Sequence, residues 1–81
     1  MSEVVDEIRK ILKAHGKLAV DPFALGDNQD LYDAGLSSHA SVSVMLALED
    51  QFDIEFPDEY LHRGTFATVG TIEKAVREIF G

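Results

Sequence analysis

Cysteine is absent from all 81 residues. That removes disulfide staples, thiolate nucleophiles and cysteine-based metal sites together. No stretch of about 18 apolar residues occurs, so nothing in the sequence is long enough to span a bilayer. Basic residues are scarce, and none lies between Leu18 and His62. Nucleic acid and anionic membrane are therefore excluded as natural partners, because phosphate binding needs Lys and Arg. There is no glycine-rich phosphate loop, no internal repeat, and no segment that alternates as a strand. His15, His39 and His62 are scattered, and no His/Asp/Glu set has metal-ligand spacing. Asp27-Asn28-Gln29-Asp30 begins like a calcium loop, but Leu31 and Tyr32 stand at its fifth and sixth places, where acid and glycine belong. No metal site is expected.

Acid is what the chain has in excess. The net charge is −8, and the span without Lys or Arg holds Asp21, Asp27, Asp30, Asp33, Glu49, Asp50, Asp53, Glu55, Asp58 and Glu59. Such a surface suits a basic protein partner, with electrostatic steering of the encounter. At 46% hydrophobic residues the composition is globular. The length implies one domain over 1–81 of marginal stability. The opening MSEVVDEIRK is charged and amphipathic, unlike a secretory signal, so a cytoplasmic address is expected, and with it a monomer.

Along the chain, residues 3 to 15 read as a first helix with Val4, Ile8, Ile11, Leu12 and His15 on its inner face. Ser2 is the expected cap, and Gly16 the expected left-handed stop. Residues 16 to 36 form a long connection, tied down by Leu18, Val20, Phe23, Leu25 and Leu31. A second helix is expected from Ser38 to Phe52, with Ser37 as N-cap. Val42, Met45, Leu46, Glu49 and Phe52 fall on one face at period 3.6, widened by Val44 and Leu48. Pro57 with Asp58 and Glu59 behind it starts a short third helix, ended by Gly64. Phe66 and Ala67 read as linker. Thr68 caps a last helix whose inner stripe is Val69, Ile72, Ala75 or Val76, and Ile79 or Phe80. The expected fold is all-α: a four-helix bundle with three long helices, one short third helix, and a long loop between helices 1 and 2.

Gly35-Leu36-Ser37-Ser38-His39, Val42, and Leu46-Ala47-Leu48-Glu49-Asp50-Gln51-Phe52 together resemble the acyl and peptidyl carrier protein family. Phe56-Pro57-Asp58-Glu59 and Thr68-Val69-Gly70 extend the resemblance along the chain. It implies that Ser38 is the site of 4′-phosphopantetheine attachment, with the arm supplied from coenzyme A by a phosphopantetheinyl transferase. Ser38 is reached by counting forward from Gly35 and also by counting back from Leu48-Glu49 and Phe52. Two positions depart from the family pattern. Ser37 stands where aspartate is usual, and His39 where leucine or methionine is usual. These departures point to a specialised carrier with an aminoacyl or acyl cargo.

The protein is then not an enzyme but a handle. Its thioester cargo comes from an acyl- or amino acid-activating ligase and passes to a downstream transferase. Asp33, Leu36, Ser37, His39, Val42, Met45, Glu49 and Asp50 form the expected docking surface. For a fatty cargo, Val42, Leu46 and Phe52 would line an apolar shelter. A Ser38–His39 nucleophile and base is excluded, because neighbours on a helix point about 100° apart. The competing reading is an unmodified acidic helical module that only docks onto a basic partner.

The crowded acids should repel one another in any of these cases. Raising ionic strength, or adding a divalent cation, is expected to raise the thermal midpoint measured by circular dichroism. A midpoint indifferent to salt would mean that each acid is compensated locally.

Overall fold

The computed structural model describes residues 3–80. It contains three α-helices: α1 (Glu3–His15), α2 (Ser38–Phe52) and α3 (Val69–Phe80). Short 3-10 turns lie at Pro22–Ala24, Asp58–Tyr60 and Arg63–Phe66. Among the described residues there is no strand and no helix long and apolar enough to cross a membrane.

α1 forms because its apolar residues keep one face while its ends carry the right charges. Glu3 and Asp6 sit in the first turn, Lys13 and His15 in the last. Ile8, Ile11 and Leu12 are buried, but His15 is exposed and is not part of the inner stripe. The cap expected of Ser2 lies outside the described residues. Gly16 is not the left-handed stop. Its N–H still reaches Leu12 C=O at 2.8 Å, and the chain reverses one residue later, at Lys17 with φ 53°.

α1 packs against both α2 and α3. The core beneath them includes Ile8, Leu12, Leu31, Val44, Leu48, Val69, Ile72 and Val76, all essentially sealed from solvent. α3 follows its expected register. Thr68 Oγ1 accepts from Thr71 N–H at 3.0 Å, and Val69, Ile72, Ala75 and Val76 are buried, while Phe80 is exposed.

The face of α2 differs from the expected one. Ala40, Val44 and Leu48 are buried, at i, i+4 and i+8, whereas Val42 and Leu46 are more than half exposed. The reason is composition. Ala40, Val42, Val44, Met45, Leu46, Ala47 and Leu48 spread apolar atoms around the helix. Several stripes of period 3.6 can be drawn through them, and the neighbours choose which one is covered.

The expected short third helix is not an α-helix. Tyr60 N–H bonds Pro57 C=O at 2.9 Å and Leu61 N–H bonds Asp58 C=O at 3.0 Å, a single 3-10 turn. Leu61 then leaves helical geometry at φ −88°, ψ 66°, too early for a second turn to nucleate. A separate 3-10 turn, Arg63–Phe66, follows after this break and is also held by packing. Phe66 is no linker: it is 5% exposed and meets the Phe56 ring edge-on, centroids 5.7 Å apart. Tyr60 ties this segment to α3 by donating to Glu78 Oε1 at 2.9 Å, and that bond raises the phenol's pKa above 10.0.

The long connection is anchored less by its own side chains than expected. Leu25 and Leu31 are buried, Leu18 is half-buried, and Val20 and Phe23 are exposed. The missing anchor is Arg9 of α1. Its guanidinium donates to Pro22 C=O at 2.5 Å, to Leu25 C=O at 2.6 Å and to Asp27 Oδ1 at 2.6 Å. Asp27 C=O in turn accepts from Gly70 N–H of α3 at 2.8 Å. A Cβ at position 70 would come within 3.2 Å of that carbonyl, which explains a glycine in the first turn of α3.

The orientation of α2 is directly testable. Leu48→Ala is expected to destabilise by about 2–5 kcal/mol in denaturant unfolding, and Leu46→Ala by less than about 0.5 kcal/mol. Equal losses would mean that the buried face is misassigned.

Candidate functional site

The turn that delivers the chain into α2 is built from four local features. Asp30 Oδ1 accepts from Tyr32 N–H at 2.8 Å and opens the turn. Leu36 N–H bonds back to Leu31 C=O at 3.0 Å, and both leucines are buried, so the turn is pinned at each end. Gly35 sits between them at φ 115°, and a Cβ there would lie 3.1 Å from Ala19 N. Ser37 follows in extended backbone, φ −92°, ψ 163°, and its Oγ accepts from Ala40 N–H at 3.0 Å. That is the expected N-cap.

Ser38 is therefore the first residue of α2. It is exposed, and its carbonyl accepts from Ser41 Oγ at 2.7 Å. Among the described residues its own hydroxyl has no hydrogen-bond partner. It opens onto a surface groove of about 330 Å³ whose walls include Tyr32, Val42, Met45, Leu61, Arg63 and Phe66. The groove runs between the first two turns of α2 and the 3-10 segment that replaces the short helix.

The other expected site residues divide. Asp33, Ser37, His39, Val42 and Asp50 are exposed on the surface around the start and outer face of α2. Met45 is half-buried in the groove wall. Glu49 is half-buried, and Oε2 accepts from Phe56 N–H at 2.9 Å, so this carboxylate organises the following loop as well as contributing charge. Leu36 does not belong to a docking surface. At 4% exposed it is a core residue, drawn inward by the bond from its own N–H to Leu31.

The far wall of the groove was not foreseen. Tyr32 comes from the long connection, Leu61 and Arg63 from the stretch expected as the short third helix, and Phe66 from the stretch expected as linker. One signal was available: Arg63 ends the long span without Lys or Arg.

Chemically, the arrangement offers one accessible hydroxyl and little else. His39 is exposed and makes no hydrogen bond to Ser38, and no group of three His, Asp or Glu residues is placed to hold a metal among the described residues. An exposed, unpartnered hydroxyl on a capped helix end fits a phosphodiester attachment. The backbone N–H groups of the first turn of α2 favour the resulting anion.

The two serines should separate cleanly. Ser37→Ala is expected to cost about 1 kcal/mol of unfolding free energy through the lost cap, and Ser38→Ala less than about 0.5 kcal/mol. A larger loss at Ser38 would show that its hydroxyl supports the fold.

Comparison with known proteins agrees with this geometry. The family model "Phosphopantetheine attachment site" matches residues 3–76. An aminoacyl carrier protein of Agrobacterium fabrum is 50% identical over 72 residues, covering 89% of this chain and 87% of that protein. An acyl carrier protein of Phenylobacterium zucineum is 34% identical over 82 residues, covering 100% and 99%. Among solved structures, one similar chain occurs in a crystal of an engineered Bradyrhizobium japonicum glycine:[carrier protein] ligase complexed with carrier protein from Agrobacterium tumefaciens and ATP. It has a TM-score of 0.92 at 47% identity, and the match covers 95% of this chain and 100% of that chain.

Proposed function

The chain belongs to the phosphopantetheine attachment-site family of carrier proteins, and from that premise we propose that Ser38 bears the arm and that the cargo is an aminoacyl group. The protein is a carrier and not an enzyme. The observation that carries the assignment of Ser38 is its exposed hydroxyl, unpartnered at the first position of a capped helix and at the mouth of a groove.

When attached, the arm supplies a terminal thiol that holds the cargo as a thioester. The chain contributes the hydroxyl that forms the phosphodiester, and the first-turn N–H groups of α2 that stabilise its charge. The chain has no cysteine to compete with that thiol.

Two considerations favour an aminoacyl cargo. A relative named as an aminoacyl carrier protein shares half of its aligned residues with this chain, and a structural match comes from a complex with a glycine ligase. Within the chain, two of the residues expected to shelter a fatty chain point away from the core: Val42 is 52% and Leu46 55% exposed. They are better placed to meet a partner enzyme. Asp33, Ser37, His39, Met45 and Asp50 complete a docking surface for a phosphopantetheinyl transferase, an amino acid-activating ligase and a downstream transferase. The acids would steer basic partners to it.

The decisive measurement is intact mass after incubation with coenzyme A and a broad-specificity transferase, with fragment mapping. One phosphopantetheine on Ser38, and none in Ser38→Ala, is the expected result. The modified protein is then expected to be charged by an amino acid:carrier ligase. Charging by fatty-acid enzymes alone would overturn the cargo assignment, and mass on Ser37 would overturn the site.

A further inference from the structure

Arg63 is the one Lys or Arg among the described residues that line the groove onto which Ser38 opens. Arg9 is committed to the connection, Lys10 pairs with Glu7, and Arg77 pairs with Glu73. Arg63, like Lys13, Lys17 and Lys74, makes no ion pair among the described residues. Its guanidinium instead lies over the Tyr32 ring, 3.7 Å from the centroid. The Tyr32 hydroxyl donates to the carbonyl of Arg63 at 3.2 Å, so ring and backbone are held together from both sides. Both residues line the groove onto which Ser38 opens.

We propose that Arg63 is an anion-binding residue for the arm: its guanidinium pairs with the phosphodiester on Ser38 and holds the start of the arm in the Tyr32–Phe66 groove. This inference rests on Ser38 being the attachment site. Three features support it. Stacking on Tyr32 limits the guanidinium's rotamers, so little further freedom is lost when an anion binds. A planar guanidinium presents paired N–H donors that match two phosphate oxygens. The groove walls behind it are mostly apolar, offering pantetheine's methylene and methyl groups a surface. The nearby His62 is less suited to this role, because Nε2 is engaged with Thr65 Oγ1 at 3.2 Å.

A carrier whose arm swings free would respond differently on attachment. The phosphodiester adds one negative charge to a chain already at −8, a cost that the first-turn N–H groups of α2 offset only in part. Pairing with Arg63 reverses that sign.

The test uses the full chain, converted with coenzyme A and a transferase, with mass mapping to Ser38. Apo and modified forms are compared by the Arg63 Nε–Hε resonance in 15N NMR, by 31P relaxation, and by thermal midpoint at low and high salt. The expected results are a shifted Arg63 resonance, a slowed phosphorus, and a midpoint about 2–4 °C higher in the modified form. High salt should remove the rise. Arg63→Gln should abolish the slowed phosphorus and the midpoint rise, and Arg63→Lys should retain only part of each, because lysine keeps the charge but loses the stack and fork. An Arg63 resonance unmoved by attachment, or the same midpoint change in Arg63→Gln, overturns the role of Arg63 while leaving Ser38 in place. Absence of modification at Ser38 overturns both.

Discussion

A single guanidinium holds the arrangement together. Arg9 reaches from α1 into the long connection and satisfies two backbone carbonyls and a carboxylate at once, with only 11% of its side chain exposed. Charge-assisted hydrogen bonds to buried carbonyls contribute about 1.5–3 kcal/mol net each, and the pair with the more exposed Asp27 less. The carbonyl of Asp27 then engages Gly70, so α1, the connection and α3 meet at one point. A small all-α chain with no disulfide has few other ways to immobilise so long a segment. Once it is immobilised, Leu31 and Leu36 can bury, and the direction in which the chain enters α2 is set.

That direction governs the chemistry. Gly35 supplies a backbone conformation that other residues resist, Ser37 ends the turn as a cap, and Ser38 emerges first on the helix with its hydroxyl in solvent. Caps occupy their own side chains, so of two adjacent serines one is used by the fold and the other keeps a free hydroxyl. The division of labour follows from hydrogen bonding alone. It also accommodates a serine at a position where aspartate would cap equally well, since either oxygen accepts the same N–H.

The apolar excess of α2 has a related consequence. A helix carrying more apolar surface than its bundle can cover must show some of it to solvent, and here Val42 and Leu46 are shown. Exposed apolar residues on the outer face of α2 are what the proposed docking surface would offer to partner enzymes. In that proposal the chain's acids would provide the attraction and the apolar patch the contact area, without permanent burial. The same choice of face turns Val42 and Met45 into one wall of the groove beside Ser38.

Much of this was legible in the residues. The bounds of α2, the cap at Ser37, the exposed Ser38, the cap at Thr68 and the inner stripe of α3 all depend on neighbours within a turn or two, and local spacing is enough to read them. Other features depend on distant parts of the chain and are invisible locally. Which face of α2 is covered could not be read from a helix apolar nearly all round. The burial of Leu36 and Phe66, the role of Arg9, and the placing of Tyr32 and Arg63 beside Ser38 all require segments far apart in sequence to be brought together. The short third helix failed for the same reason: packing of Phe66 on Phe56 outweighed the helix-start pattern at Pro57. Hydrogen bonds along the chain decide which serine keeps its hydroxyl free, and burial between distant segments builds the groove next to it.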